Sequence, residues 1–135
     1  MSYKIQEVEG IGPAYADKLA QAGIITTDDL LAKCGSAAGR KQVAAATGLS
    51  EKLILNWANK ADLMRISGVG PQFAELLEAA GVDTVKELRN RNAANLAAAM
   101  AQVNEEKKLA RTSPPAATVE KWVEAAKGME PMISH

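Results

Sequence analysis

Apolar residues recur along the chain at three- and four-residue spacings and almost never in strict alternation, which predicts short helices and no sheet. The clearest faces are Leu53, Ile54, Trp57, Ala58 and Ala61, then Leu96, Met100 and Val103, then Val119, Trp122, Val123 and Ala126. Punctuation marks the ends. Gly23 and Gly81 read as left-handed C′ residues, each followed by an apolar residue, Ile24 or Val82, as a Schellman stop prefers. Gly48 stops a helix over Arg40–Thr47, with Leu49 beyond it, and Gly128 closes the last helix. Thr26 and Thr84 start helices with an acid three residues on, Asp29 or Glu87, so both predict a capping box. Ser50 and Thr118 are further predicted caps, and Pro13 and Pro71 suit the first position of a helix. The helix from Pro13 presents residues 16, 19, 20 and 22 as one face. Loops are expected at Cys34–Ala38 and around Pro114-Pro115 in Thr112–Ala117, and Ala93–Lys108 reads as one Ala-rich helix. Met1–Glu7 is a lead-in that places Tyr3, Ile5 and Val8 under the first glycine turn. Met129–His135 is a tail whose Met129, Met132 and Ile133 are expected to dock on the core or on a partner, the core being the simpler reading. The expected fold class is all-α, with about eight short helices.

One stretch of this pattern occurs twice, 58 residues apart: VEGIGPAYADKLAQAGIITTDDLLAK at 8–33 and ISGVGPQFAELLEAAGVDTVKELRNR at 66–91. Identities fall at Gly10/Gly68, Gly12/Gly70, Pro13/Pro71, Leu19/Leu77, Gly23/Gly81 and Thr26/Thr84, where backbone geometry and close packing are decided. Internal repetition of this kind marks a duplicated structural unit. Trp57 and Trp122 match by role at a longer offset, so residues were inserted before the second Trp. A unit of this size is marginal alone. The chain therefore reads as a single domain, 1–135, made of two pseudo-equivalent repeats, about 1–62 and 63–135, sharing one core.

Composition narrows the class. Sixteen basic residues balance sixteen acidic ones, so no basic tail advertises nucleic acid. Cys34 is the one cysteine, which excludes an internal disulfide framework. No signal peptide and no apolar run of spanning length appears, and a soluble, cytoplasmic protein is expected. The charge alternates along the chain. Residues 7–29 carry five acids against Lys18, and residues 33–60 carry five basic residues against Glu51. Residues 66–87 carry four acids against Lys86, and residues 89–111 carry five basic residues against Glu105 and Glu106.

The sequence offers no catalytic constellation. The single histidine is His135, so no Ser-His or Cys-His pair can form inside a cleft. Cys34 has no neighbour at metal-ligand spacing and reads as a small apolar side chain. A Gly-x-Gly between helices, lacking the third glycine, is no dinucleotide fingerprint. No metal, cofactor or enzymatic activity is expected.

The run Gly-apolar-Gly-Pro-x-x-Ala-x-x-Leu resembles the helix-hairpin-helix motif, and two copies resemble tandem helix-hairpin-helix domains of DNA ligases, repair nucleases, repair polymerases and Holliday-junction-binding proteins. More closely, GIGPAYADKL followed by TTDDLL resembles an uncharacterised bacterial domain family built of such repeats, over essentially the whole chain. In the DNA-binding relatives the hairpin holds a phosphate without reading bases. The resemblance implies a nucleic-acid site at the backbone of Gly10, Ile11, Gly12 and Ala14, and of Gly68, Val69, Gly70 and Gln72. Two such sites on paired halves would grip the two strands across a minor groove. The sequence departs from those relatives where they carry Lys or Arg after Gly-Pro, for it has Ala14 and Gln72. Tyr15 and Phe73 follow, and recurrence of an aromatic at one repeat position reads as core rather than as a base-stacking platform.

The leading expectation is non-catalytic, sequence-independent nucleic-acid binding, to duplex DNA, with Arg40, Lys41, Lys107, Lys108 and Arg111 as a basic patch beside the hairpins. The alternative is a protein-interaction or assembly module, in which acidic hairpin surfaces dock on basic surfaces of a partner or a second copy. A positive face containing both hairpin tips would favour the first; tips ringed by carboxylates would favour the second.

Overall fold

The computed structural model describes residues 2–135; Met1, the start of the expected lead-in, lies outside them. The fold is all-α, with eight helices and no strand among the described residues. They are α1 (Pro13–Gln21), α2 (Thr27–Cys34), α3 (Ala37–Thr47), α4 (Glu51–Leu63), α5 (Pro71–Ala79), α6 (Val85–Leu88), α7 (Ala93–Lys107) and α8 (Ala116–Lys127). A short 3-10 turn, Ile5–Glu7, precedes them. Helix α2 packs on α3 and α4, α4 on α5, α5 on α7, and α8 on α6 and α7.

Local chemistry sets most boundaries. Both α1 and α5 end in a Schellman stop. Gly23 (φ 81°) and Gly81 (φ 98°) are left-handed. The Ile24 and Val82 amides reach back to Leu19 and Leu77 oxygens, each at 2.9 Å. The Leu19, Ile24, Leu77 and Val82 side chains are all fully buried, so each stop is also a core contact. On α1, Ala16 and Ala22 are half-buried while Ala20 faces out, which narrows the expected apolar face to Leu19 and its neighbours.

Two boundaries and one cap differ from expectation. The link between α2 and α3 is only Gly35 and Ser36, because Ser36 Oγ accepts the Gly39 amide at 3.0 Å and starts α3 at Ala37. Helix α8 starts before Thr118. Its cap is Pro115, whose carbonyl accepts the Thr118 and Val119 amides at 3.0 and 3.1 Å. The capping box is complete only at Thr26: Oγ1 accepts the Asp29 amide at 3.2 Å, and Asp29 Oδ2 accepts the Thr26 and Ile25 amides at 3.1 and 3.0 Å. Those backbone donors hold the Asp29 carboxyl below its ordinary range. Thr84 Oγ1 caps the Glu87 amide at 3.0 Å, but the Glu87 carboxyl makes no return bond to the Thr84 amide, and burial together with the neighbouring Asp83 pushes it up.

Buried apolar side chains from both ends of the chain form one contiguous cluster, with Trp57 and Trp122 among its largest members. The tail closes over it. Ile133 is buried, Met129 half-buried and Met132 exposed, so only part of the expected apolar docking occurs. Polar groups hold the rest: Arg89 donates to the Met129 carbonyl, Arg65 to that of Glu130, and the Met132 amide donates to Asp62.

Candidate nucleic-acid interface

Each glycine turn is built the same way. The Ile11 amide donates to the Val8 oxygen and the Val69 amide to the Ile66 oxygen, both at 3.0 Å, which closes a tight bend. The bend needs positive φ at its third residue, and Gly10 and Gly68 supply it at 96° and 93°. Gly12 (φ −84°, ψ −176°) and Gly70 (φ −89°, ψ −173°) then cap α1 and α5, with proline at the first helical position.

A tryptophan supports each turn from beneath. A Cβ added to Gly10 would lie 3.4 Å from Trp57 Nε1, and one added to Gly68 would lie 3.1 Å from Trp122 Nε1. Tyr15 stacks on Trp57 with ring centroids 5.1 Å apart, and Phe73 on Trp122 at 5.3 Å, both tilted. Phe73 is half-buried against the core, as expected, but Tyr15 is 38% exposed and covers Trp57 from the solvent side, so the core reading fails at the first repeat. Trp122 stands to the second turn as Trp57 does to the first.

The turns leave donors unengaged. A helix start has orphan N–H groups, and glycine caps have no side chain to take them. The amides of Gly10, Gly12 and Ala14, and of Gly68, Gly70 and Gln72, meet no acceptor among the described residues. Ile11 and Val69 leave the expected donor set. Their amides are spent inside the bend and their side chains lie in the core, at 3% and 0% exposure.

The surroundings of the two turns differ. At the second, a groove of about 720 Å3 runs between Gly70–Gln72 on one side and the lead-in residues Tyr3, Gln6 and Glu7 with Glu9 of the first turn on the other. The Tyr3 hydroxyl lies 4.0 Å from the position of a Gly70 Cβ, so Tyr3 reaches the second turn rather than only underlying the first. The lead-in is fixed by backbone bonds from Ile5 to Ile25 and from Thr27 to Tyr3, each 2.9 Å.

The expected basic patch divides. Lys41, Lys107, Lys108 and Arg111 are exposed and make no ion pair among the described residues. Arg40 is buried at 5% exposure and belongs to the scaffold. Its guanidinium donates to the carbonyls of Cys34 and Gly35 at 3.0 Å and of Ser134 at 2.6 Å, stapling α3 to the tail. Three main-chain acceptors match the fixed fork of an arginine, which explains why it forgoes solvent.

Lys60 has the same fate for a different reason. It is 6% exposed, and its ammonium donates to the Glu9 carbonyl at 3.1 Å and pairs with Glu75 on α5 at 2.5 Å. Glu78, whose Oε2 lies 3.9 Å from the ammonium, also accepts from Asn56 at 2.9 Å. Burial pushes the Glu78 carboxyl up, opposed by the pull of Lys60 and assisted by the push of Glu75. Position 60 follows Trp57 by three residues, on the buried face of α4; that spacing was the available sign.

Cys34 is fully buried, and burial pushes its thiol up to about 11, so it is an apolar core side chain rather than a nucleophile. No helix of the described residues is long and apolar enough to cross a membrane.

A family model described as a domain of unknown function, DUF4332, matches residues 9–129. The chain belongs to this family. Comparison with curated proteins and with solved structures returned no match. The DUF4332 match begins at Glu9, which opens the first glycine turn, and ends at Met129, beyond α8, so it takes in both turns and both supporting tryptophans.

Proposed function

We propose that the two glycine turns are helix-hairpin-helix motifs and that the chain is a non-catalytic binder of duplex DNA, holding phosphates without reading bases. The observation that carries this reading is the set of unengaged amides at two turns of matching backbone angles, each opening a nine-residue helix. Backbone N–H groups at a helix N-terminus, helped by the helix dipole, suit an anion. Such contacts fix register on a duplex and carry no sequence information. Lys41, Lys107, Lys108 and Arg111 supply the mobile charge, with Arg40 and Lys60 taken out of that role by burial.

A second reading has its own support. Glu7 and Glu9 line the groove at the second turn, and carboxylates there favour a basic protein surface over a phosphate. In that case the same scaffold serves assembly with a protein partner or a second copy.

Fluorescence anisotropy of a labelled random-sequence duplex separates them. Raising salt from about 50 mM to about 200 mM should weaken binding by roughly ten- to a hundredfold if the exposed lysines and Arg111 neutralise about two to four phosphates. The double variant Gly12→Asp/Gly70→Asp should abolish it. Gly12 has ordinary φ and nothing within 4 Å of a new Cβ, and Gly70 meets only Tyr3 Oη at 4.0 Å, so both aspartates fit. Each places a carboxylate on the amides a phosphate would use. No duplex binding at low salt would refute the proposal and turn attention to self-association.

A further inference from the structure

We propose that Lys60 is a positioning residue that fixes the spacing and orientation of the two glycine turns, so that both can engage one duplex. This rests on the phosphate-binding reading of the turns.

The Lys60 ammonium sits between the two turns. One bond goes to the carbonyl of Glu9, the residue that opens the first turn, and the ion pair goes to Glu75, on the helix that the second turn starts. A single side chain from α4 thus touches the backbone of one turn and the helix of the other. Asn56, one turn earlier on α4, adds a second link to α5 through Glu78.

Stability does not explain this arrangement. A buried ion pair loses hydration on both partners, and well-packed apolar replacements are often as stable or more so. What the buried ammonium adds is directionality: apolar packing tolerates sliding, whereas its charge-assisted hydrogen bond to the Glu9 carbonyl does not, and Glu75, whose Oε2 is held by charge alone, anchors the α5 side. The second half has no counterpart. At the offset that aligns Trp57 with Trp122, Lys60 falls on Ala125, which is exposed. The cation is therefore no generic part of the turn; it occurs only where the first turn meets α5.

Two linked sites gain affinity only if their geometry lets both engage at once. Lys60→Met keeps the apolar stem, one atom shorter, while removing the bond to Glu9 and the pair with Glu75. Glu75→Gln cuts only the α5 side and serves if the first variant does not fold.

The test has two arms. Nitroxide labels on Ala14→Cys and Gln72→Cys report the distance distribution between the turns by pulsed electron resonance; buried Cys34 stays unlabelled. Anisotropy then compares a duplex with a short single strand that spans one turn. The expected result in a folded variant is a broadened distribution. It is accompanied by an approximately tenfold or greater loss of duplex affinity, with short-strand affinity unchanged. An unchanged distribution, or an equal loss for both nucleic acids, would overturn the proposal. Failure of the parent protein to bind duplex would instead refute the phosphate reading, while the distance arm still decides whether Lys60 sets the geometry.

Discussion

The first and second glycine turns share a backbone and an aromatic support and differ in what the rest of the chain lays against them. Their φ and ψ values agree closely, both rest on an indole, and both leave helix-start amides free. Yet the first is tied by Lys60 and followed by an eight-residue α2 with a complete capping box. The second is faced by the lead-in and followed by a four-residue α6 with half a box. Short-range sequence reproduces a turn wherever it is copied; access to the turn depends on what the rest of the chain lays against it.

The tryptophans give the strongest test of what is shared. Trp57→Ala and Trp122→Ala should each cost about 3–5 kcal/mol, measured by urea unfolding, since both are buried supports. A native-like midpoint for either would mean that its turn stands without the indole. Gly10→Ala and Gly68→Ala come next, at about 1–2 kcal/mol each for left-handed φ. The second should be the worse, because its Cβ meets Trp122 at 3.1 Å against 3.4 Å for the first. Equal melting shifts would put the whole cost in the backbone.

The capping acids should differ in sign. The Asp29 carboxyl is held below its ordinary value of 3.8, so its contribution is present above that value and is lost as pH falls through the folded pKa. Asp29→Asn should therefore lower the melting temperature at neutral pH and converge with the parent in strong acid. The Glu87 carboxyl is pushed above its ordinary 4.5, so its charged form is disfavoured in the fold and protonation favours the fold. Glu87→Gln should leave neutral-pH melting unchanged or slightly raised, with any gain vanishing in acid. Parallel losses in the two variants would show that the second box closes after all.

Much of the scaffold was legible because its signals are local. Gly-apolar-Gly-Pro dictates a bend and a helix start within six residues, and Gly23 and Gly81 dictate their stops, independent of distant neighbours. Ser36 shows the limit: a two-residue link with a cap looks like the middle of a loop until the hydroxyl is seen on Gly39 N. The basic residues were the least legible. Arg40 and Lys41 are adjacent, yet one is buried on main-chain carbonyls that include Ser134, and the other is solvated. The acceptor that captures Arg40 lies on the far end of the chain, and Lys60 is captured by Glu9 and Glu75. For the same reason Tyr3, Glu7 and Glu9 could not be assigned to the second turn from sequence. Ile11 and Val69 left the site because a residue can be central to a motif while its amide serves the bend.

Amide chemical shifts recorded while a duplex is added test the central claim most directly. Salt-sensitive shifts are expected at Gly12 and Ala14, and at Gly70 and Gln72, with Ile11 and Val69 protected by their internal bonds. Shifts absent from both turns, or confined to the lysines, would contradict it.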